Sequence, residues 1–541
     1  MPDYGILMPM KRCLPVLLYC LLALGACSDR DVATAGVSVL NRGTGEEPES
    51  LDVHKSRSTE AGHVQRDLGE GLVGYTPDGE LVPAAATDWT LSADGTEYVF
   101  RLRADARWSN GDPLTAGDFV YSYRRLVDPE TAAFYTQSVG EIENAAEIIA
   151  GEKTPDILGV AALSDRELEI RLRQPVPYFL ALLTHPSMFP VHRASVEQYG
   201  DAYARPGKLV SNGAYKLVAW EVGSYIELAR NEHYWNNAAT AIDRVRHYVT
   251  PEPMVELNRY RAGELDVTRT IPPEAFAQML KERPNEVRVS PALGVYYYGF
   301  NLTRAPFADN PKLREALSMA IDRETIVEII GRGEAPAYSW VPPGTANYEP
   351  QAYSWMDLPK AERHRRAQQL YREAGFGPEH TLHTEIRYNT SDVHKQVAVA
   401  IQSMWRQVLG VEATLINEEF QVFLENVSRK AVTEVFRLNW NGDYNDAHTF
   451  LSTLESENAS NLTAYASDEY DSLMRRAAEQ RDPMRRRLYL EEAEMRMLRD
   501  YPVIPIYFYV NKSMVSPAVR GWGDNVLNYH YSQHLSLVDD E

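Results

Sequence analysis

The sequence predicts an α/β protein of two or three domains. Its 541 residues are enough for more than one hydrophobic core. Segments alternating at period two are interleaved with segments of helical period along the whole chain, without repeats or low-complexity runs. Mixed order of this kind implies α/β lobes rather than a sandwich or a helical bundle.

The elements follow in chain order. Val64-Gln65-Arg66-Asp67-Leu68 reads as helix, closed by glycines and by a turn at Pro77-Asp78-Gly79. Glu97 to Arg103 alternates as a strand, and Trp108 to Pro113 is a turn. A helix follows with Thr115 as N-cap, Asp118 in its first turn, and Phe119, Tyr123, Leu126 and Val127 on one face. Leu168 to Leu172 is another alternating strand. Asn310-Pro311 opens a helix with Leu313, Leu317, Ala320 and Ile321 as its stripe. Ser391 caps the next, which carries Val393, Val397, Ile401, Met404 and Val408 and stops at Gly410. Val411 to Leu415 is a strand directly after it. Asp482-Pro483 opens a basic helix through Arg499. Val503 to Val510 reads as a buried strand, in which Pro505 points to a sheet edge.

Composition bounds the function. The chain has 44% hydrophobic and 24% charged residues, as soluble globular proteins do. Its net charge of -21, from 55 basic and 76 acidic residues, argues against nucleic acid as a partner, because phosphate binding needs a basic surface. Tyrosine is frequent, at 32 residues, which suits either an adaptable binding surface or plain sheet packing.

The N-terminus reads as a processing segment. Lys11 and Arg12 precede a short apolar run, Leu14 to Leu24, that is too short to span a membrane. Leu24-Gly25-Ala26-Cys27 resembles a bacterial lipoprotein box, so 1–27 is expected to be a signal peptide and Cys27 the lipidated residue. With Cys13 and Cys20 removed, no disulfide is possible in the mature chain. The expected body is soluble and tethered to a membrane by lipid.

Searches for catalytic patterns find no His-Glu-x-x-His, no Gly-x-Ser-x-Gly and no Walker loop. Gly69-Glu70-Gly71-Leu72-Val73-Gly74 matches the dinucleotide spacing, but it follows a helix rather than a strand. The segment from Asn439 lacks calcium-loop spacing, since Gly442 is fourth and Phe450 twelfth. The 13 histidines are scattered without zinc spacing. No cofactor and no metal are expected.

One segment does carry chemistry: Arg437-Leu438-Asn439-Trp440-Asn441-Gly442-Asp443-Tyr444-Asn445-Asp446. It sets a carboxylate, Asp443, among aromatic and amide groups, with an arginine six residues upstream. Aromatic faces attract a cation and an acid pairs with it, so Asp443 is the natural partner of a ligand ammonium group.

Taken together, many segments resemble the extracytoplasmic oligopeptide-binding proteins of ABC importers, solute-binding family 5. Ser50 to Lys55, Arg66 to Leu72, Trp108 to Phe119, Asn212 to Tyr215, Tyr234 to Asn237, Asn258 to Glu264, Tyr388 to Lys395 and Trp440 to Asn445 carry the likeness. The resemblance implies a three-domain periplasmic-binding-protein fold, with two mixed-sheet lobes closing on a cleft and a small extra domain. Lobe I would combine 28–69, 193–294 and 511–541; the inserted domain II would be 70–192; lobe III would be 295–510. It implies a monomeric, non-enzymatic binder of short peptides, periplasmic and lipid-anchored, that hands its cargo to an importer permease. A peptide sensor, muropeptide scavenger or chaperone on the same scaffold is the alternative. In this likeness Asp443 takes the peptide ammonium, Trp440, Asn441 and Gly442 run beside the peptide backbone, Tyr135 and Tyr509 touch the ligand, and Arg437 and His394 meet its carboxylate. Two positions depart from the family pattern. Arg57 falls where some peptide binders carry an acid, and the lysine some relatives place near Ile330 is missing, with Arg332 close by.

Overall fold

The computed structural model describes residues 36–538. The signal segment and Cys27 therefore lie outside the described residues. In chain order, β1 is Val39–Gly45; β2 (Val73–Tyr75) and β3 (Leu81–Pro83) form a hairpin, as do β4 (Ala86–Leu91) and β5 (Glu97–Leu102). β6 (Val160–Ser164) and β7 (Glu167–Arg171), then β8 (Tyr215–Glu221) and β9 (Tyr225–Arg230), make two more hairpins, and β10 (Arg244–Val249) follows. The later strands are β11 (Val287–Phe300), β12 (Ala335–Pro336), β13 (His383–Asn389), β14 (Glu412–Glu418), β15 (Val435–Asn441) and β16 (Val503–Met514).

These strands make one six-stranded and two four-stranded sheets, in the orders β12-β16-β11-β15-β13-β14, β1-β10-β9-β8 and β4-β5-β7-β6. Parallel pairs need a crossover, and the helix Asp392–Leu409 supplies one between β13 and β14. Its stripe buries Val397, Ile401, Trp405 and Leu409, and Gly410 ends it at φ +73°, a left-handed turn that glycine adopts without steric cost.

Each sheet has its own core. Residues from 72 to 188 form one, centred on Phe100, Trp108, Phe119 and Tyr123. A second joins Leu40 and Val64 to Tyr215, Ile226 and Val245 and to Val515 and Leu535 from the end of the chain. The largest surrounds the six-stranded sheet and buries Trp340, Trp355 and Trp405. β11 and β16 alone among the strands run on from this core into a fourth, small cluster that holds Val287 and Met514.

The helix Ala116–Val127 buries the predicted face, and Thr115 caps it by giving both its N–H and its hydroxyl to Asp118, at 2.8 and 2.9 Å. The glycine-rich segment is a helix end, as expected: Thr59–Leu68 stops at Gly69, and a Cβ on Gly71 would stand 2.9 Å from the Leu183 carbonyl oxygen. The edge assignment for Pro505 needs correction. β16 lies between β11 and β12, but β12 reaches only Tyr507 and Phe508. At Pro505 the register slips, and the Arg323 guanidinium takes the Pro505 carbonyl at 2.8 Å.

The Asp52-Val53-His54-Lys55 motif proves to be scaffold. Asp52 is 2% exposed and takes a two-pronged bond from Arg125, at 3.0 and 2.7 Å, plus the Tyr203 hydroxyl at 3.0 Å. It thereby joins the chain before the first helix to the helix Ala116–Val127. Burial alone would raise its pKa; the hydrogen bonds and charge of Arg125 outweigh this and hold it below the ordinary value.

Breaking such a pair leaves a buried uncompensated charge, so Asp52→Asn should cost about 3–5 kcal/mol in urea unfolding. A depressed native pKa means the pair's contribution is complete above the unfolded value, about 3.9, and fades as pH falls through the lower native one. The difference between wild type and variant should hold constant from pH 8 to pH 5 and shrink at more acidic pH.

Candidate functional site

β15 places most of the predicted residues. It pairs antiparallel with β11 along its whole length, from Phe300 opposite Val435 to Gly294 opposite Asn441. On its other side β13 meets it only at Val435 and Phe436. From Arg437 to Asn441 that edge has no strand partner among the described residues. Its N–H and C=O groups are therefore open to another extended chain.

Alternation puts Arg437, Asn439 and Asn441 on one face. Arg437 is buried, beside Tyr296, Tyr507 and Tyr509 of the neighbouring strands. Its guanidinium carbon lies 4.4 Å from the Tyr296 ring centre, and it donates to Asn389 Oδ1 at 3.2 Å and to Tyr509 Oη at 3.4 Å. No carboxylate pairs with it among the described residues. His394, on the crossover helix, meets the Tyr296 hydroxyl at 3.3 Å. Burial, and then the charges of Arg437 and Arg332, push its pKa down to about 3, so it is neutral at physiological pH. Arg437, His394 and Tyr509 thus meet as a cationic, hydrogen-bonding cluster suited to an anionic group.

Gly442 follows the strand. Its N–H donates to the Leu293 carbonyl at 2.8 Å, and a Cβ there would stand 3.0 Å from both Thr449 and Phe450. The close turn aims Asp443 into a cavity of about 460 Å³, which Tyr135 also lines. Tyr135 packs on His185 at 4.6 Å between ring centres and donates to the Arg57 carbonyl at 3.1 Å. Asp443 takes part in no ion pair among the described residues, and burial alone raises its pKa. Its side chain is nevertheless exposed. Walls near enough to hinder its hydration do not enclose it, so the acid is less dry here than its aromatic neighbours in sequence suggest.

Two expectations change. Trp440 packs against the core of the six-stranded sheet and is not part of the cavity wall around Asp443. The aromatic wall comes instead from Tyr75, Tyr178, Tyr444 and Tyr529, with Tyr135. Tyr178 stacks on Tyr444 at 4.5 Å and on His448 at 4.6 Å, linking the 160–190 region to the loop after β15. Of these, Tyr444 was signalled by its sequence context and Tyr135 by the family resemblance alone. Glu141 adds a second acid to the cavity, held by Arg173 at 2.9 Å. Arg57 is exposed beside Phe134, its guanidinium carbon 5.7 Å from that ring centre. Among the described residues no group of acidic, histidine or cysteine side chains is arranged to hold a metal.

Residues 80–461 match the family model of the bacterial extracellular solute-binding proteins, family 5, middle region. The chain is 40% identical over 535 residues to the periplasmic oligopeptide-binding protein OppA of Salmonella typhimurium, covering 96% of this chain and 97% of that one. It resembles a solved periplasmic murein tripeptide-binding protein, MppA, in its unliganded open form, at TM-score 0.89 and 36% identity, covering 94% of this chain and 98% of the other. Against Haemophilus influenzae OppA in complex with the peptide RPPGFSPFR the TM-score is 0.69 at 37% identity, covering 93% and 99%.

An ammonium ligand needs Asp443 ionised. Its affinity is therefore complete above the pKa of that group and lost as pH falls through it. Because burial raises this pKa, trialanine binding measured by calorimetry should weaken on acidification at a higher pH than a solvated aspartate would give. Asp443→Asn should flatten that part of the profile.

Proposed function

The chain belongs to the bacterial extracellular solute-binding proteins of family 5, and from this we propose that it binds short peptides outside the cytoplasm and delivers them to an ABC importer. One observation carries the reading: a strand edge without a strand partner runs between an acid and a guanidinium that form no ion pair among the described residues. The peptide ammonium meets Asp443, its backbone bonds to β15 around Leu438 to Asn441, and its carboxylate meets Arg437 with His394 and Tyr509. Backbone pairing of this kind is blind to side-chain identity. Six residues of nearly extended chain span at most about 20 Å, and the reach of the arginine shortens the gap, so peptides of roughly three to five residues suit it.

In this reading the lobes are 28–69 with 193–294 and 511–541, 70–192, and 295–510. Support comes from the separate cores and from β11 and β16, which cross both lobe boundaries as a pair. The slip in their register between Pro291 and Val295 is the natural hinge. The higher TM-score against an unliganded open form than against a peptide complex, at nearly equal identity, supports an open arrangement here. Closure then enclosesAsp443 and strengthens its attraction for the ammonium.

The ligand leaves unchanged in this reading, which the likeness to solute-binding and oligopeptide-binding proteins supports. The protein acts in the periplasm as a monomer, held to a membrane through lipid on Cys27. A second reading, a murein-peptide sensor, scavenger or chaperone, is favoured by the likeness to a murein tripeptide-binding protein and by the basic Arg57 near Tyr135.

Asp443→Asn should lower trialanine affinity at least 100-fold, or about 3 kcal/mol, in calorimetry of ligand-stripped protein. N-acetyl-trialanine should bind wild type as weakly, and the variant should lose nothing further; a full additional loss with the acetylated ligand would remove Asp443 from the ammonium site. Mass spectrometry of co-purified ligand should find mixed short peptides, and muropeptides alone would select the second reading. A fluorogenic peptide incubated with the protein should be recovered intact.

A further inference from the structure

Arg66, on the helix Thr59–Leu68, is a buried cation without a hydrogen-bond or ion-pair partner among the described residues. It is 7% exposed. Its Nε is sealed from solvent and bonds to nothing, and none of its nitrogens makes a hydrogen bond or ion pair within the described residues. Each of the other buried arginines there bonds through at least one nitrogen, although the Nε of Arg363 and of Arg437 is also without a partner. Arg42 and Arg387 meet carboxylates, Arg314 and Arg323 meet backbone carbonyls, Arg363 meets the Tyr338 hydroxyl, and Arg437 meets Asn389 and Tyr509. Arg66 has only the Tyr529 ring, whose centre lies 3.5 Å from its guanidinium carbon. A cation–π contact offsets part of the desolvation of a guanidinium but satisfies none of its five N–H donors.

The side chain opens onto a cavity of about 130 Å³ between the β2–β3 hairpin and the end of the chain, lined by Glu70, Tyr75, Tyr531, Gln533 and His534. Glu70 does not serve as counter-ion. Its oxygens accept from Tyr234 Oη at 2.6 Å and from Trp235 Nε1 at 2.8 Å, and no ion pair joins it to Arg66. Burial pushes its pKa up to about 7, and burial keeps His534 below its usual value, so Arg66 is the strongest fixed charge on the cavity. The space is too small for a peptide and large enough for a simple anion. It is separate from the cavity of Asp443, although Tyr75 borders both.

We propose that Arg66 binds a small monoanion, a halide or a simple carboxylate, in the cavity between the β2–β3 hairpin and residues 531–534. The anion completes the hydrogen bonding of Arg66 and fastens the hairpin to the end of the chain. It also steadies Tyr529, which stacks on Arg66 and lines the cavity of Asp443.

Crystals of the wild-type protein grown with bromide in place of chloride should show an anomalous peak in contact with the Arg66 guanidinium. In solution, sodium formate should raise the melting temperature saturably above the value in sodium gluconate of equal ionic strength. Arg66→Met should abolish the difference and Arg66→Lys should keep part of it. Ordered water alone on the guanidinium, or a formate response unchanged in Arg66→Met, overturns the proposal. A bromide peak without any saturable response in solution means binding at crystal concentration only, and overturns it equally. Should Arg66→Met fail to fold, the bromide map and the Arg66→Lys titration decide.

Discussion

The arrangement depends on one constraint: the antiparallel pairing of β11 with β16. These strands carry the largest core into the cluster around Val287 and Met514, and β11 also holds β15 in place. The β15 residues proposed to meet the ligand are therefore positioned by a strand that continues beyond them into another cluster. A backbone change where the register slips, between Pro291 and Val295, acts on the same rigid ladder that presents Arg437 and Asn441.

Charge is distributed according to what it must do. Asp52, Asp67 and Asp446 are matched with arginines and tie segments of the chain together. Glu494 is sealed in the core, where it receives the N–H groups of Trp340, Val341 and Gln351 and the Tyr348 hydroxyl. Asp443 and Arg437, at opposite ends of an open strand edge, form no ion pair among the described residues, and Arg437 has only neutral hydrogen-bond partners, Asn389 and Tyr509. A charge without an internal partner is unfavourable in the empty protein and becomes favourable only when a ligand supplies the opposite sign. In the proposed binding mode, selectivity for the ends of a peptide, with tolerance in the middle, follows from that placement.

Local pattern was legible where local physics decided. The helix Asp392–Leu409 could be read from its stripe and its terminal glycine because a solvent-facing helix buries one side only. The helix Ala116–Val127 was readable for the same reason, with Thr115 marking its start. Pro505 misled because a proline also fits a central strand at a register slip, where its missing N–H is not required. Trp440 is near Asp443 in sequence but stands on β15, which ends at Asn441, and packs on the core, whereas Asp443 lies past the turn at Gly442.

By itself the sequence determined the α/β class and the main helices and their ends, and it singled out the acid proposed for an ammonium group, since each rests on the spacing of neighbouring residues. Only the tertiary structure decided what surrounds that acid. Tyr75, Tyr135 and Tyr178 meet Tyr529 from the far end of the chain, and no local pattern marks their meeting. It likewise decided that Asp52 is matched while Asp443 and Arg66 are not, because a partner's presence is a property of space and not of order along the chain.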